Sequence, residues 1–315
     1  MINSVLGPIS PNDLGKTLIH EHITFGFAGW YANDAITPFD RRECVKVSLE
    51  TMNELKTYGV RTFMDATPND SGRNPELLKE ISETSGVNII CSTGLYTEAE
   101  GGSAYFKFRA IHGDVEFEIY ELFLKEIIQG IGSTGIKAGV IKVATGNGQI
   151  TTYEKSVLKA AGRVQKETGV PIITHTVAGT MGPEQADILI SAGADPKHIV
   201  IGHICSSADI KYHLTVLEKG VYIAFDRLGI ESSQSDTVRK TCIIGLIAIG
   251  YADKIMLSHD SIVRWLGKPF ISRTPTHVFK NIIPDLKKAG VTDDQINMMM
   301  VENPRRLFGG GISSP

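Results

Sequence analysis

Four of the nine histidines, one lysine and one aspartate stand where a metal site needs them. His20 and His22 flank Glu21 in an H-x-H triplet. Side chains alternate along a strand, so the two imidazoles share one face and Glu21 takes the other. His175, His203 and Asp260 each close a separate short apolar run. Imidazole and carboxylate together suit zinc, iron, cobalt or manganese. A lone H-x-H is a weak signal, and unrelated core histidines would explain it. Single polar residues ending several other runs make the combination a strong signal.

Lys142 lies between Ile141 and Val143. A buried amine is costly unless it is paired or modified. One reading pairs it with a neighbouring acid such as Asp65. The other has the amine react with carbon dioxide. The product, N6-carboxylysine, is an anion with two oxygens that can bridge two metal ions.

The elements that must position these residues are legible as eight short β-branched runs. They cover residues 17–23, 61–66, 88–95, 140–144, 171–176, 198–204, 221–227 and 254–260. Each is continuous rather than alternating, as parallel strands covered on both faces must be. Helical patterns fall between them, over 42–58, 74–85, 116–130, 153–168, 183–192, 209–219 and 236–249. Several are punctuated by Pro near the start or Gly just past the end. Eight strands alternating with helices predict an α/β chain, a (β/α)8 TIM barrel in a single domain over residues 1–315. An open doubly wound sheet is the competing architecture, but no G-x-G-x-x-G follows the first run. In a barrel the active site lies at the C-terminal ends of the strands, where the six polar residues stand.

Composition narrows the function. Hydrophobic residues make up 42% of the 315 and charged residues 21%, enough to bury a large core. The net charge is -3 and the basic residues are spread along the chain, so no nucleic-acid partner is expected. No apolar stretch is long enough to span a bilayer, and no basic start precedes an apolar run at the N-terminus. The expectation is a cytoplasmic protein without a membrane partner. The cysteines, Cys44, Cys91, Cys205 and Cys242, show no paired spacing and read as reduced thiols.

Seven short segments, in order along nearly the whole chain, resemble the phosphotriesterase family of the amidohydrolase superfamily, which includes phosphotriesterase-like lactonases. They are TLIHEH (17–22), VIKVA (140–144), IITHT (172–176), IGH (201–203), FDR (225–227), KIMLSHD (254–260) and ENPRRLF (302–308). The resemblance implies a distorted barrel with a binuclear centre. His20, His22 and Asp260 would hold the more buried ion, and His175 and His203 the more exposed one. Lys142, as the carbamate, would bridge both. Zinc is the first candidate for the two divalent ions, with iron, cobalt or manganese behind it. A hydroxide shared by the ions would attack an ester, and Asp260 would take its proton. A homodimer is the assembly implied.

Two further positions are catalytic candidates. Tyr96, in STGLY, resembles a tyrosine of the family's lactonases; as a rim aromatic it would only pack. Arg227, in FDRLG, matches a pocket-wall position; its alternative is an ion pair with Asp226 or another acid. One departure stands out. Many relatives carry an aspartate three residues after the sixth-strand histidine, where this chain has Ser206. Asp209 is three residues further on, so a proton relay through this position is not expected. The strand–helix loops should select substrate. Tyr105, Phe106, Phe108, Trp265 and Phe270 are candidates for an apolar wall, and Arg264 and Lys268 for receiving a phosphoester. Asp65 is a candidate for orienting a ligand. His259 is read as packing, His198 as lying at the wrong strand end, and His112, His213 and His277 as having no role.

The first functional expectation is hydrolysis of a carboxylic ester, a lactone foremost, with phosphotriester hydrolysis as a side activity. A dedicated phosphoester hydrolase is the second. An inactive barrel acting as a binding protein is the third, and the complete ligand set argues against it. A one-metal deaminase is a fourth, and Lys142 argues against that.

Overall fold

The computed structural model describes residues 1–268 and 274–310. A hairpin of β1 (Ile2–Ser4) and β2 (Gly7–Ile9) opens the chain. Nine strands then form one parallel sheet: β3 (Lys16–Phe25), β4 (Val60–Asp65), β5 (Asn88–Leu95), β6 (Val140–Thr145), β7 (Ile172–Thr176), β8 (Ile199–Ile201), β9 (Tyr222–Phe225), β10 (Ile255–Leu257) and β11 (Ser261–Trp265). Neighbours in sequence are neighbours in the sheet, except that β11 pairs with β3. The edges of the sheet are therefore β10 and β11, and Ser258, His259 and Asp260 alone separate them. The Asp260 N–H donates to the His20 carbonyl across this seam, at 3.0 Å. The sheet thus closes into a distorted (β/α)8 barrel whose eighth strand is broken in two.

Helices cover the outside, among them α1 (Arg41–Thr57), α2 (Pro75–Ser85), α3 (Ser103–Arg109), α4 (Val115–Ile128), α5 (Thr152–Thr168), α6 (Gly182–Ser191), α7 (Ile210–Leu217) and α8 (Asp236–Ala248). Their ends follow from the sequence. Asp40 caps α1, Asn74 precedes Pro75 at the start of α2, and Thr151 with Glu154 forms a capping box on α5. Alternation within each strand builds two cores. Ile141, Ile172 and Ile223 point outward to the helices. Ile19, Met64, Ile90, Val140, Ile173, Val200, Ala224 and Met256 fill the barrel interior. Each Val, Ile or Met among them contributes about 1.5–3 kcal/mol by leaving water. The interior is therefore packed below the site. Among the described residues no helix is long and apolar enough to cross a membrane.

Three expectations are corrected. The sixth strand ends at Ile201, so His203 lies beyond it in a left-handed turn (φ 59°). The segment after Asp260 continues as β11 where a loop was expected, because its backbone closes the barrel against β3. Residues 103–109 form α3 within what was read as loop.

Candidate metal centre

The C-terminal ends of the strands bring five of the six residues into the lining of one cavity of about 410 Å³. The sixth, His203, lies against them. Its ring is stacked on His20 at 4.6 Å and meets His175 edge-on at 4.4 Å. Strand β3 reaches this arrangement through a register shift between Leu18 and Glu21. The shift lets Ile19 join the inner core while His20 and His22 still face the cavity, and such bulges are frequent beside active sites.

The hydrogen bonds outside the cavity assign the histidine tautomers. Asp226 is fully buried and accepts from His20 Nδ1 (2.6 Å), His203 Nδ1 (3.0 Å) and the His203 N–H (2.8 Å). Thr67 spends its hydroxyl proton on the Thr24 carbonyl, so its oxygen accepts from His22 Nδ1, at 2.8 Å. All three rings therefore carry their proton on Nδ1 and turn a bare Nε2 lone pair to the cavity. His22 Nε2 then lies 3.2 Å from Asp260 Oδ1, and His203 Nε2 3.5 Å from Asp260 Oδ2. These are contacts between acceptors, and His203 Nε2 is buried with no hydrogen-bond donor. A cation among these atoms removes the conflict. His20, His22 and Asp260 also place one ligand atom each within 4.8 Å of one another. The donor set fits divalent metal ions.

Burial sets the charges. It lowers the pKa of His20 to about 3, and those of His175 and His203 below the ordinary range, so the imidazoles stay neutral and free to ligate. Burial opposes ionisation of Asp226 and Asp260, but the histidines' electrostatic and hydrogen-bonding contributions prevail and keep both carboxylates well below the usual range. Burial brings Lys142 down to about 7, against the raising effect of Asp260 and Asp226. A free amine, the form that attacks carbon dioxide, is thus well populated at neutral pH. The lysine donates to His20 Nε2 at 2.7 Å and not to Asp65. A Cβ at position 94 would sit 1.7 Å from the Lys142 carbonyl oxygen, and only glycine there (φ 146°) lets β5 close on β6 beside the lysine.

The remaining candidates divide. Tyr96 lines the cavity, its hydroxyl 3.5 Å from His175 Nδ1, and burial raises its pKa so that it stays protonated. Arg227 also lines it, and its Nε donates to Asp260 Oδ2 at 3.2 Å, so its acid is Asp260 and not Asp226. Trp265 joins Phe25, Phe27, Ile230 and Ile262 in the wall. Tyr105 and Phe108 are exposed on α3, Phe106 packs on the core, and Arg264 and Lys268 do not line the cavity. Phe270 lies outside the described residues. Asp65 accepts from the Ile23 and Thr67 amides, so it supports Thr67, which in turn holds His22. Ser206 is half-buried, with its hydroxyl oxygen buried and unpartnered, and Asp209 caps α7.

Sequence reading missed Asp226, Glu21, Phe25 and Phe27. For Asp226 a signal was present, since alternation turns it and Arg227 to different sides. His259 was read as packing, yet it donates to Glu21 from Nδ1, at 2.7 Å.

Comparison with known proteins identifies the family. The sequence model of the phosphotriesterase family matches residues 1–308. An aryldialkylphosphatase of Saccharolobus solfataricus is 33% identical, over 95% of this chain and 96% of its own. The organophosphorus hydrolase of Deinococcus radiodurans superposes with a TM-score of 0.96 at 46% identity, covering 98% of this chain and 96% of that one. A solved structure described as organophosphate hydrolysis activity engineered from a weak promiscuous lactonase template gives 0.96 at 45%, covering 98% and 100%. The chain belongs to the phosphotriesterase family, within the amidohydrolase superfamily of metal-dependent hydrolases.

Proposed function

We propose that the chain is a two-metal hydrolase of uncharged carboxylic esters, lactones foremost, with phosphotriester hydrolysis as a weaker side activity. The cavity wall carries this reading. Among the described residues, Phe25, Phe27, Tyr96, Ile230, Ile262 and Trp265 line it, and its arginine, Arg227, is already engaged by Asp260. The wall thus offers apolar surface, and no unpaired guanidinium, to the substituents of a substrate. A neutral ester with an apolar substituent is favoured by the area it removes from water.

His20, His22 and Asp260 would hold one ion, His175 and His203 a second, and Lys142 as N6-carboxylysine both. Zinc is the first candidate, then iron, cobalt or manganese. When bound, such ions supply Lewis acidity and a nucleophile at neutral pH. The chain's own residues do the rest. Asp226 and Thr67 keep the histidine protons off Nε2. Asp260, held anionic and oriented by Arg227, is the base facing the reacting atoms. The Tyr96 hydroxyl is a donor beside His175 that suits an ester oxygen. Tyr96 favours the lactone, as does the similarity to the lactonase template. The similarity to organophosphorus hydrolases supports the second reading, a dedicated phosphotriesterase.

Kinetics on alkyl-substituted lactones and on phosphotriesters separate the two. The expected result is a kcat/KM higher on lactones by about 100-fold. A comparable preference for phosphotriesters would replace the first reading with the second. Protein left metal-free and inert after zinc or manganese and bicarbonate would replace both with a binding role.

A further inference from the structure

Alternation on β3 turns Glu21 away from the cavity, yet its fully buried carboxylate is engaged on the far side of the site. Five donors meet it. They are Ser258 Oγ (2.8 Å), the His259 N–H (2.9 Å), His259 Nδ1 (2.7 Å), the Ser261 N–H (2.8 Å) and Ser261 Oγ. They come from residues 258, 259 and 261, and the residue they bracket is Asp260. Asp260 has a left-handed backbone (φ 54°). That conformation is strained for a non-glycine residue and persists only where its surroundings fix it. The Asp260 N–H is held in turn by the His20 carbonyl. Both sides of the turn are therefore tied to adjacent residues of β3.

We infer that Glu21 is a positioning residue whose carboxylate moulds the turn at Asp260 and so aims the Asp260 side chain at His22, His203 and Arg227. The hold extends further. The Val278 N–H donates to His259 Nε2 at 2.9 Å, which fixes the His259 proton on Nδ1, facing Glu21. Val278 opens the helical turn Val278–Ile282. That turn is thus hydrogen-bonded, through one imidazole and one carboxylate, to the turn carrying Asp260. The consequence for catalysis rests on the proposed metal-dependent reading; the consequence for the turn does not.

Glu21→Gln keeps the shape and replaces one acceptor oxygen by an NH2 group that must face donors. Ser261→Ala removes one donor and leaves the carboxylate. Amide hydrogen exchange of the metal-free proteins should show Asp260 and Ser261 exchanging at least about tenfold faster in Glu21→Gln, with β5, β6 and β7 still protected. Ser261→Ala should shift the same two amides by less. In zinc-loaded protein, Glu21→Gln should lower kcat and zinc affinity by about 10–100-fold, with KM within about twofold. Unchanged exchange at Asp260 in Ser261→Ala, or a kcat per bound metal equal to wild type in Glu21→Gln, would overturn the assignment. Faster exchange in Glu21→Gln, beside a wild-type protein that hydrolyses no ester, would uphold the mould and sink the proposed function.

Discussion

Lys142→Met should remove about 10³-fold or more of the esterase activity while raising the melting temperature of the metal-free protein. The two effects separate because they arise in different states. In the metal-free fold the amine is buried between outward-facing Ile141 and Val143, and burial depresses its pKa to about 7. Its hydrogen-bond partner is a neutral imidazole, His20, at 2.7 Å. A thioether of similar length removes that desolvation cost, and a gain of about 1 kcal/mol is worth about 1–2 °C in a chain of 315 residues. In the loaded enzyme the same change deletes the proposed bridging ligand. Calorimetry and steady-state kinetics on one preparation check both halves. Activity within about tenfold of wild type would show that the lysine is not a ligand, and a lowered melting temperature would show that the amine stabilises the fold.

Asp226→Asn should cost about 10²-fold or more in activity with the barrel intact. The carboxylate accepts two imidazole protons and one backbone proton. An amide offers one oxygen and turns an NH2 group toward the other ring. That ring must then present a lone pair at Nδ1 and carry its proton on Nε2, where a metal ion should bind. The corresponding tautomer error in a Ser–His–Asp triad costs about 10⁴-fold, and removing a metal ligand's hydrogen-bond partner typically costs 10–100-fold in affinity. Zinc affinity measured by chelator competition, beside kcat/KM, checks the prediction. Wild-type affinity in Asp226→Asn would mean that the rings bind in either tautomer.

What the sequence disclosed and withheld follows from the range of the interactions. Parallel strands buried on both faces must be continuous apolar runs, so β3, β5, β6 and β7 were legible. Polar residues inside or ending such runs stood out against them. Asp226 was obscured by its neighbour, because adjacent opposite charges invite pairing on paper. In the folded chain Asp226 lies beneath His20 and His203, while Arg227 turns to Asp260. Glu21 and His259 meet across 238 positions of sequence, a contact that exists only once the barrel closes. Nothing local signals the left-handed turns at His203 and Asp260, since neither is glycine. The cavity wall was partly legible. Trp265 was named from its place after the last strand. Phe25 and Phe27 were passed over because they follow the H-x-H, and Tyr105 and Phe108 were weighed equally as wall and as packing residues. They are exposed on α3, where helical geometry carries them away from the site.

The central claim is a two-metal centre bridged by a modified Lys142. Protein reconstituted with zinc in 13C-bicarbonate tests it most directly, by metal analysis and 13C NMR on the same active sample. Two zinc ions per chain and a carbamate resonance absent from Lys142→Met are expected. Full activity with one zinc per chain and no carbamate resonance would contradict it.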